Sequence, residues 1–274
     1  MSYRKTPCPH PNLCGVQYHL TDAARAECER RGRMSATRGG MAPPPPPSPV
    51  SEDISAQEIG EFITEAPARE AADLLNEQAP MVVETEGGEY RVTGAEVHND
   101  RLVMTVDLHD AQTRQSIGNA VQRVYDASYA GKQVTVPSDE ELENDYASFH
   151  VLSNGLAGVG VKHNGEIAGL HSLSGDTVQH PQYNVSPCLF DAATKHGGQW
   201  LECFDTWLPR AYKKQGLTSV ARIPFNREYA PENWNYEKLG EPDLVFMALG
   251  DHDSVPRFED FDDAYNHTMK EIGQ

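Results

Sequence analysis

Five potential metal ligands lie close together near the start of the sequence. Zinc prefers four thiolate or imidazole ligands in a tetrahedron. The segment 8–28 supplies more than enough of them, namely Cys8, His10, Cys14, His19 and Cys28. Their spacing matches no standard zinc finger, because it contains neither C-x₂-C nor H-x₃-H. So short a segment has too little core to fold alone, so we predict a zinc knuckle whose ligands are the three cysteines with His19 or His10. The competing interpretation is a disordered segment with free thiols.

A second group of reactive side chains surrounds the stretch WLECF, residues 200–204. Glu202 alternates with Trp200 and Phe204, so the three share one face of a predicted strand. A carboxylate beside two aromatic rings would have a raised pKa and would suit a general base for an amine. The competing interpretation is that the aromatics cover a solvated side of the sheet and Glu202 is exposed. Cys203 faces the other way with Leu201, which is typical of a small core residue.

Two further candidates flank this stretch in the sequence. His171 lies at the end of an apolar strand, where it is either a base or a structural residue. Asp205 directly follows WLECF, and we expect it to cap the next helix. Both are therefore candidates for acid or base chemistry with a structural alternative.

The elements that must position these side chains are a strand and a helix in direct succession. QWLECFDTWLPRAYKKQGL, residues 199–217, predicts a buried strand that turns into a helix. Pro209 lies in the first turn of that helix and Gly216 stops it. Tyr212 lies one turn before the stop. Upstream, LAGVGVKHNGEIAGLHSL predicts two strands joined around Asn164-Gly165, the dipeptide that a type I′ hairpin turn prefers.

The remaining elements follow from periodicity and turn residues. Asn99-Asp100 joins a predicted strand pair, and a helix with Ile117 and Val121 on one face ends at Gly131. Ser138 with Glu141 forms a capping-box pattern for a short helix. Further predicted elements are a helix at SPCLFDAATKHGG, strands at LTSVARIPF and DLVFMAL, and a short surface helix in the acidic tail.

Charge divides the chain into two parts. Residues 1–40 hold seven basic and three acidic residues, so they carry +4 of the net charge of −18, and the rest of the chain carries −22. An acidic body repels phosphate backbones, so we expect no general nucleic-acid binding by it. The sequence shows neither an apolar run long enough for a membrane span nor an apolar signal segment, so we expect a cytoplasmic protein with reduced thiols.

Composition also predicts the domain boundaries. Residues 1–32 form the Cys/His-rich head, and 33–55, with five consecutive prolines, form an extended disordered linker. Residues 56–98 are a helix and strand lead-in, 99–250 the main domain, and 251–274 an acidic tail with a short helix. We predict an α+β fold: a mixed, mostly antiparallel central sheet flanked by helices in three layers.

The element order of the main domain resembles the GNAT superfamily of acyl-CoA-dependent N-acyltransferases. From about residue 100 it reads strand, helix, helix, three strands, helix, strand, helix, two strands. The motifs that carry the resemblance are GVGVKHNGEIAGLHSL, CLFDAATKHGG, WLECF and RAYKKQGLTSVARIPF, the last similar to the family's Tyr-containing helix with its glycine stop. The resemblance covers roughly residues 100–250. The head, linker and mosaic layout also resemble proteins carried by phages or mobile elements.

The resemblance implies an active site between two central strands that splay apart, here those at 166–172 and 199–204. Tyr212 matches a family tyrosine that protonates the leaving thiolate. Glu202, Asp205 and His171 become the candidate acid or base residues. The donor, acetyl-CoA or another acyl-CoA, is expected at the segment that contains Ser172, Leu173, Ser174 and Gly175. The acceptor is a small-molecule or protein amine.

The sequence departs from the family at the phosphate-binding loop. Members carry Arg/Gln-x-x-Gly-x-Gly before the third helix. Here SGDTVQHPQYNVSPCLF contains one glycine and two prolines. The two hypotheses are therefore an atypical, phage-type acyltransferase and a non-catalytic module or phage effector that docks a protein partner through its zinc-binding head.

Overall fold

The computed structural model describes residues 6–7, 18–19, 65–127, 130–173, 186–252 and 254–274. The chain divides into two compact units, Met1–Glu52 and Asp53–Gln274. In the first, strands β1 (Thr6–Pro7) and β2 (Tyr18–His19) pair antiparallel. Of the predicted zinc ligands, Cys8, His10, Cys14 and Cys28 lie outside the described residues, as does the predicted linker 33–55. His19 is described only by its backbone, in β2.

The second unit alternates strands and helices. In chain order the described elements are α1 (Glu65–Gln78), β3 (Met81–Glu84), β4 (Glu89–His98), β5 (Arg101–Val106), α2 (Ala111–Ala127), α3 (Asp139–Asn144), β6 (Tyr146–Leu152), β7 (Ala157–Lys162), β8 (Ile167–Ser172), α4 (Ser186–Lys195), β9 (Trp200–Phe204), α5 (Leu208–Lys213), β10 (Leu217–Ile223), α6 (Tyr236–Leu239), β11 (Leu244–Leu249) and α7 (Phe261–Glu271). Apart from short helical turns, the order from β5 to β11 is the predicted one.

The strands form two sheets. Six strands in the order β3-β4-β5-β6-β7-β8 form an antiparallel meander, and β10-β11-β9 form a second antiparallel sheet. The fold is thus α+β with antiparallel sheets flanked by helices, as the sequence predicts, but the predicted single, mixed central sheet is divided into two antiparallel sheets.

The two sheets meet at one point. Glu166, just before β8, and Trp200, the first residue of β9, form a single parallel bridge. The Gln199 and Trp200 amides both donate to the Gly165 carbonyl at 2.8 Å and 3.4 Å. Beyond this point β8 and β9 belong to different sheets, so the predicted divergence of the two strands is confirmed.

Apolar side chains explain how the sheets are held together. One core cluster spans both: Val159 and Ile167 of the six-stranded sheet join Leu201 and Met247 of the other, under α4 and α5. A second cluster packs α1, α2 and α3 on the six-stranded sheet. A third packs α7 on the three-stranded sheet. The face covered by α4 and α5 is therefore continuous, whereas the opposite face has a separate core on each sheet.

Several local predictions can be compared with the structure. Asn99 and Asp100 form a two-residue turn with φ of 47° and 61°, as hairpin twist requires. The Ser138–Glu141 capping box is present in both directions. The turn after β7 differs from the predicted type I′: the loop has three residues, and only Gly165 has positive φ (77°). Lys162 donates its amide to the Glu166 carbonyl at 2.8 Å, which extends the ladder by one residue pair.

Three more predictions need correction. Helix α5 begins at Leu208 with Trp207 at its N-cap position, so Asp205 does not cap it. Helix α2 ends at Ala127, and Gly131 instead begins a short 3₁₀ turn. The C-terminal helix is more than a surface helix: its residue Ala264 is fully buried against the third core cluster, beside Trp200. Because polar residues outnumber apolar ones in that tail, the sequence did not indicate that the helix contributes to the core.

Two distant turns interlock at the start of the six-stranded sheet. The Gly87 amide donates to the Asn154 carbonyl at 3.1 Å. A Cβ atom on Gly87 would lie 1.7 Å from the Gly155 carbonyl oxygen. Gly155 itself has φ of +68°, and a Cβ there would lie 2.1 Å from Thr85 Oγ1. A side chain at Gly87 would therefore overlap the backbone of the other turn, whereas one at Gly155 would overlap the Thr85 side chain and would have to adopt positive φ.

Candidate functional site

The gap between β8 and β9 is the candidate site. Both strands start at the Glu166–Trp200 bridge and separate toward their C-terminal ends. On the α4 and α5 side the continuous core closes the gap with Leu170, Phe190, Leu201 and Cys203. The opposite face has no core cluster common to both sheets among the described residues: there α2 packs on the six-stranded sheet and α7 on the three-stranded sheet.

Strand β8 carries a β-bulge at the gap. Gly158 pairs with His171 and Gly160 with Ala168, so Gly169 and Leu170 together oppose Val159 alone. Gly169 has φ of +61°, a conformation that a glycine adopts without strain. Bulges are frequent beside active sites because they re-aim the following side chain. Here that side chain is His171.

His171 presents an unused hydrogen-bond acceptor in a buried position. Its Nδ1 lies 2.8 Å from the Gly169 carbonyl oxygen, which can only accept, so Nδ1 carries the proton. Nε2 is then an unprotonated nitrogen, and it has no partner among the described residues although the residue is only 4% exposed. Burial lowers the pKa of His171 to about 4, and the hydrogen bond that His171 donates to the Gly169 carbonyl opposes this shift. The ring is therefore neutral near pH 7, with a bare lone pair.

Glu202 occupies the same face of the sheets as His171. Its neighbours on β9, Leu201 and Cys203, point into the continuous core, so Glu202 points to the open face. The side chain is exposed to solvent, yet partial enclosure by surrounding groups raises its pKa to about 7, and the charge of Glu166 adds to the shift while Lys162 opposes it. The alternative interpretation is correct that Glu202 is exposed, but Trp200 does not cover a solvated surface, because it is 1% exposed beneath α7.

Glu202 and His171 lie at different depths in the gap. Glu202 is two residues past the bridge and His171 five residues past it. Because the bulge takes up one residue of β8, the offset is about two residues, or roughly 7 Å along the strands at a rise of about 3.3 Å per residue. Glu202 therefore lies at the narrow end, and His171 at the wide end.

Tyr212 lies on the other face, against the continuous core. Its ring contacts Phe190 of α4 edge-on at 5.3 Å between centroids. Burial raises the pKa of Tyr212, and the adjacent Cys203 thiol adds to the shift. The phenol is therefore a neutral proton donor across the physiological range. Burial likewise raises the pKa of Cys203, whose sulfur lies 3.9 Å from that of Met247, so Cys203 is a core thiol rather than a nucleophile.

The other predicted site residues have different surroundings. Asp205 forms an ion pair with Arg222 of β10 at 3.2 Å, which ties the end of β9 to the far side of its sheet. Ser172 ends β8, and the Leu173 amide donates to the Leu156 carbonyl at 2.7 Å. Ser174 and Gly175 lie outside the described residues. The structure thus brings Glu202 and His171 to one face, and Tyr212 to the opposite one.

The loop between β10 and β11 lies beside the wide end of the gap, because it packs on the end of β9. Trp234 packs against Phe204, the last residue of β9, with tilted rings whose centroids lie 4.6 Å apart, and its indole donates to the Gly240 carbonyl at 3.0 Å. The Tyr125 hydroxyl of α2 donates to the Glu232 carbonyl at 3.2 Å. This aromatic loop is therefore pinned both to β9 and to the helix that packs on β8.

Sequence reasoning missed Gly169 and its bulge. A lone glycine inside a strand pattern is a recognised bulge signal. The segment EIAGLHSL contains such a glycine, Gly169, within a predicted strand. Sequence reasoning also missed a buried polar cluster around His98, which lies far from any motif.

Two searches of the described residues bear on the remaining expectations. No helix in the described ranges is long and apolar enough to cross a membrane. Within the same ranges, no group of three or more His, Cys, Asp or Glu side chains is placed to hold a metal ion.

Comparison of the chain with protein-family models, with curated proteins and with solved structures finds no match.

Proposed function

We propose that the chain is an atypical GNAT-like N-acyltransferase that moves an acyl group from an acyl-CoA thioester, or a related donor, to an amine. The observation that carries the proposal is His171: a buried, neutral imidazole with a bare Nε2, which directly follows a bulge in β8 near the point where β8 and β9 separate.

The described residues suit a thioester donor in the gap. Its floor is apolar, as an acyl chain and its linker require. Helix α4 has ten residues and begins shortly after β8, so its N-terminus offers a partial positive charge to a phosphate. The donor is expected at the segment 172–175, of which the structure describes Ser172 and Leu173.

The chemistry divides between the two faces of the sheet. His171 Nε2 accepts a proton from the acceptor amine, whose nitrogen forms a bond to the acyl carbon. The thioester must pass between β8 and β9 for its sulfur to reach the Tyr212 hydroxyl on the opposite face; the carbon–sulfur bond then breaks, and that hydroxyl gives its proton to the departing sulfur. Tyr212 recovers a proton from solvent and His171 releases one, so the reaction is balanced. Glu202, at the narrow end, acts as an alternative base whose pKa of about 7 suits neutral pH.

Calorimetry with acetyl-CoA and coenzyme A on the full chain tests the donor. We expect micromolar binding, retained in Tyr212→Phe because the ring still packs against Phe190. With acceptor amines, Tyr212→Phe and His171→Gln should each lower the rate by about 10²–10⁴-fold, the usual contribution of a positioned acid or base. Absence of binding to either compound would overturn the proposal.

A second candidate, a non-catalytic module of the same fold, is favoured by one observation. The segment 172–190 contains a single glycine and two prolines where a phosphate loop needs backbone amides. Binding of acetyl-CoA without turnover in a screen of amines would support this second candidate.

A further inference from the structure

A buried histidine between two carboxylates links α4 to β4. His98 of β4 is 4% exposed. Its Nδ1 lies 2.7 Å from Asp191 Oδ2 of α4, and its Nε2 lies 2.9 Å from Glu96 Oε2. Carboxylate oxygens accept hydrogen bonds and do not donate them, whereas a neutral imidazole has one N–H. Both contacts can be hydrogen bonds only when both ring nitrogens carry protons.

We infer that His98 is held as an imidazolium between Glu96 and Asp191, and that this charged pin positions helix α4 on strand β4.

A neutral ring would require one carboxyl group to be protonated. Burial alone would raise the pKa of Glu96, but hydrogen bonds from Lys195 and His98 outweigh it and bring the pKa down to about 2. Lys195 Nζ lies 2.9 Å from Glu96 Oε1. The Asp191 side chain is 59% exposed, so water solvates its carboxylate. Both carboxylates are thus ionised near neutral pH, and the proton belongs to His98.

The surrounding charges are consistent with this assignment. The titratable and charged groups that face the pin from β4, β5, β6 and α4 are Glu96, Arg101, His150, Asp191, Lys195 and His196. Burial lowers the pKa of His150 to about 3, with His196 and His98 adding to the shift, so His150 stays neutral. The His196 ring stacks on His150 at 4.3 Å and lies 3.5 Å from Glu96. The pin is therefore the one imidazole here whose two nitrogens both contact carboxylates.

The pin requires both ring protons of His98. If either nitrogen were unprotonated, its lone pair would face a carboxylate oxygen, and that contact would be repulsive. Asp191 directly follows Phe190, whose ring contacts Tyr212. His98 is thus a positioning residue for Tyr212, a consequence that rests on the proposed function, whereas the docking of α4 does not.

Nitrogen NMR of the full chain labelled with ¹⁵N-histidine tests the charge directly. His98→Gln identifies the signals of His98 among those of the 11 histidines. At about pH 7.5, where an exposed imidazole is mostly neutral, we expect both His98 nitrogens to be protonated. A signal pair with one protonated and one bare nitrogen would overturn the inference. If His98→Gln fails to fold, Asp191→Asn identifies the same signals by their shift.

Thermal unfolding provides the second readout. At about pH 7.5, the Tm of His98→Gln should lie several degrees below that of the wild-type chain, because the variant has no positive charge to pair with Glu96 and Asp191. His109→Gln, at an exposed histidine, is the matched control and should keep the wild-type Tm. An unchanged Tm in His98→Gln would contradict the pin. Neither measurement needs a donor or an acceptor, so failure of the proposed function would leave both results interpretable.

Discussion

Glu202 lies near a second carboxylate, Glu166, on the open face of the sheets. Its pKa of about 7 is above the ordinary value of 4.5, so the folded chain binds this proton more tightly than the unfolded chain does. Stability is therefore unaffected below about pH 4.5 and declines as the pH rises through 7.

Replacing Glu202 with Gln should remove that penalty. We expect Glu202→Gln to raise Tm at about pH 8 and to leave it unchanged at about pH 4. Because the side chain is exposed, solvent screens the effect, and a gain of at most about 2–4 °C is expected. Differential scanning calorimetry at the two pH values measures it. Glu237→Gln, on an exposed loop helix, is the control, and an equal gain at both pH values would contradict the explanation.

At the scale of elements, the β8 bulge can be tested through Gly169. An alanine there must adopt φ of +61°, and its Cβ would meet Phe149 at an ordinary 3.4 Å, so the cost comes from the backbone. We expect Gly169→Ala to lower the free energy of unfolding by about 1 kcal/mol. If the bulge aims His171, it should also lower acyl transfer. Urea denaturation measures the first effect.

Gly118 offers the matched control for this substitution. It lies inside helix α2 with no atom within 4 Å of a Cβ, so Gly118→Ala should stabilise the chain by about 0.5–1 kcal/mol. Equal effects at the two glycines would mean that the bulge conformation is not the cause.

Elements with strong periodicity or turn chemistry were predictable from the sequence, and the site between them only in part. The capping box at Ser138 and the turn at Asn99 each depend on a few adjacent residues, so the sequence contains the whole signal. The separation of β8 from β9 depends on the order of elements. The partner of Asp205, by contrast, is Arg222, two strands away across the sheet. Local reasoning therefore made Asp205 a helix cap.

The His98 cluster was beyond local reasoning for the same reason. Its carboxylates come from β4 and from a helix 93 residues later in the chain. Neither periodicity nor spacing links them, because register and helix docking decide which side chains meet.

At the scale of the whole molecule, two buried neutral histidines should make the fold sensitive to acid. Burial lowers the pKa of His150 to about 3 and that of His171 to about 4, below the ordinary 6.5. The unfolded chain therefore binds more protons between these values, so stability is full above about pH 6.5 and declines as the pH falls toward 4. A shift of this size corresponds to a loss of the order of a few kcal/mol.

His171→Gln should flatten part of this decline. We expect the Tm difference between about pH 7 and pH 4.5 to be smaller in the variant than in the wild type, as measured by circular dichroism. His163→Gln, at an exposed turn histidine, should keep the wild-type difference. An unchanged difference in His171→Gln would assign the acid sensitivity to His150 or to the carboxylates.

The close contact between the turns of Gly87 and Gly155 limits the substitutions that these two positions can accept. Neither glycine belongs to the candidate site, and each lies in a turn, where substitutions are ordinarily tolerated. Yet a Cβ at Gly87 would lie 1.7 Å from the Gly155 carbonyl oxygen, so the backbone of the other turn would have to move. In a library of random variants sorted for folding alone, both positions should therefore remain glycine as strictly as the core remains apolar.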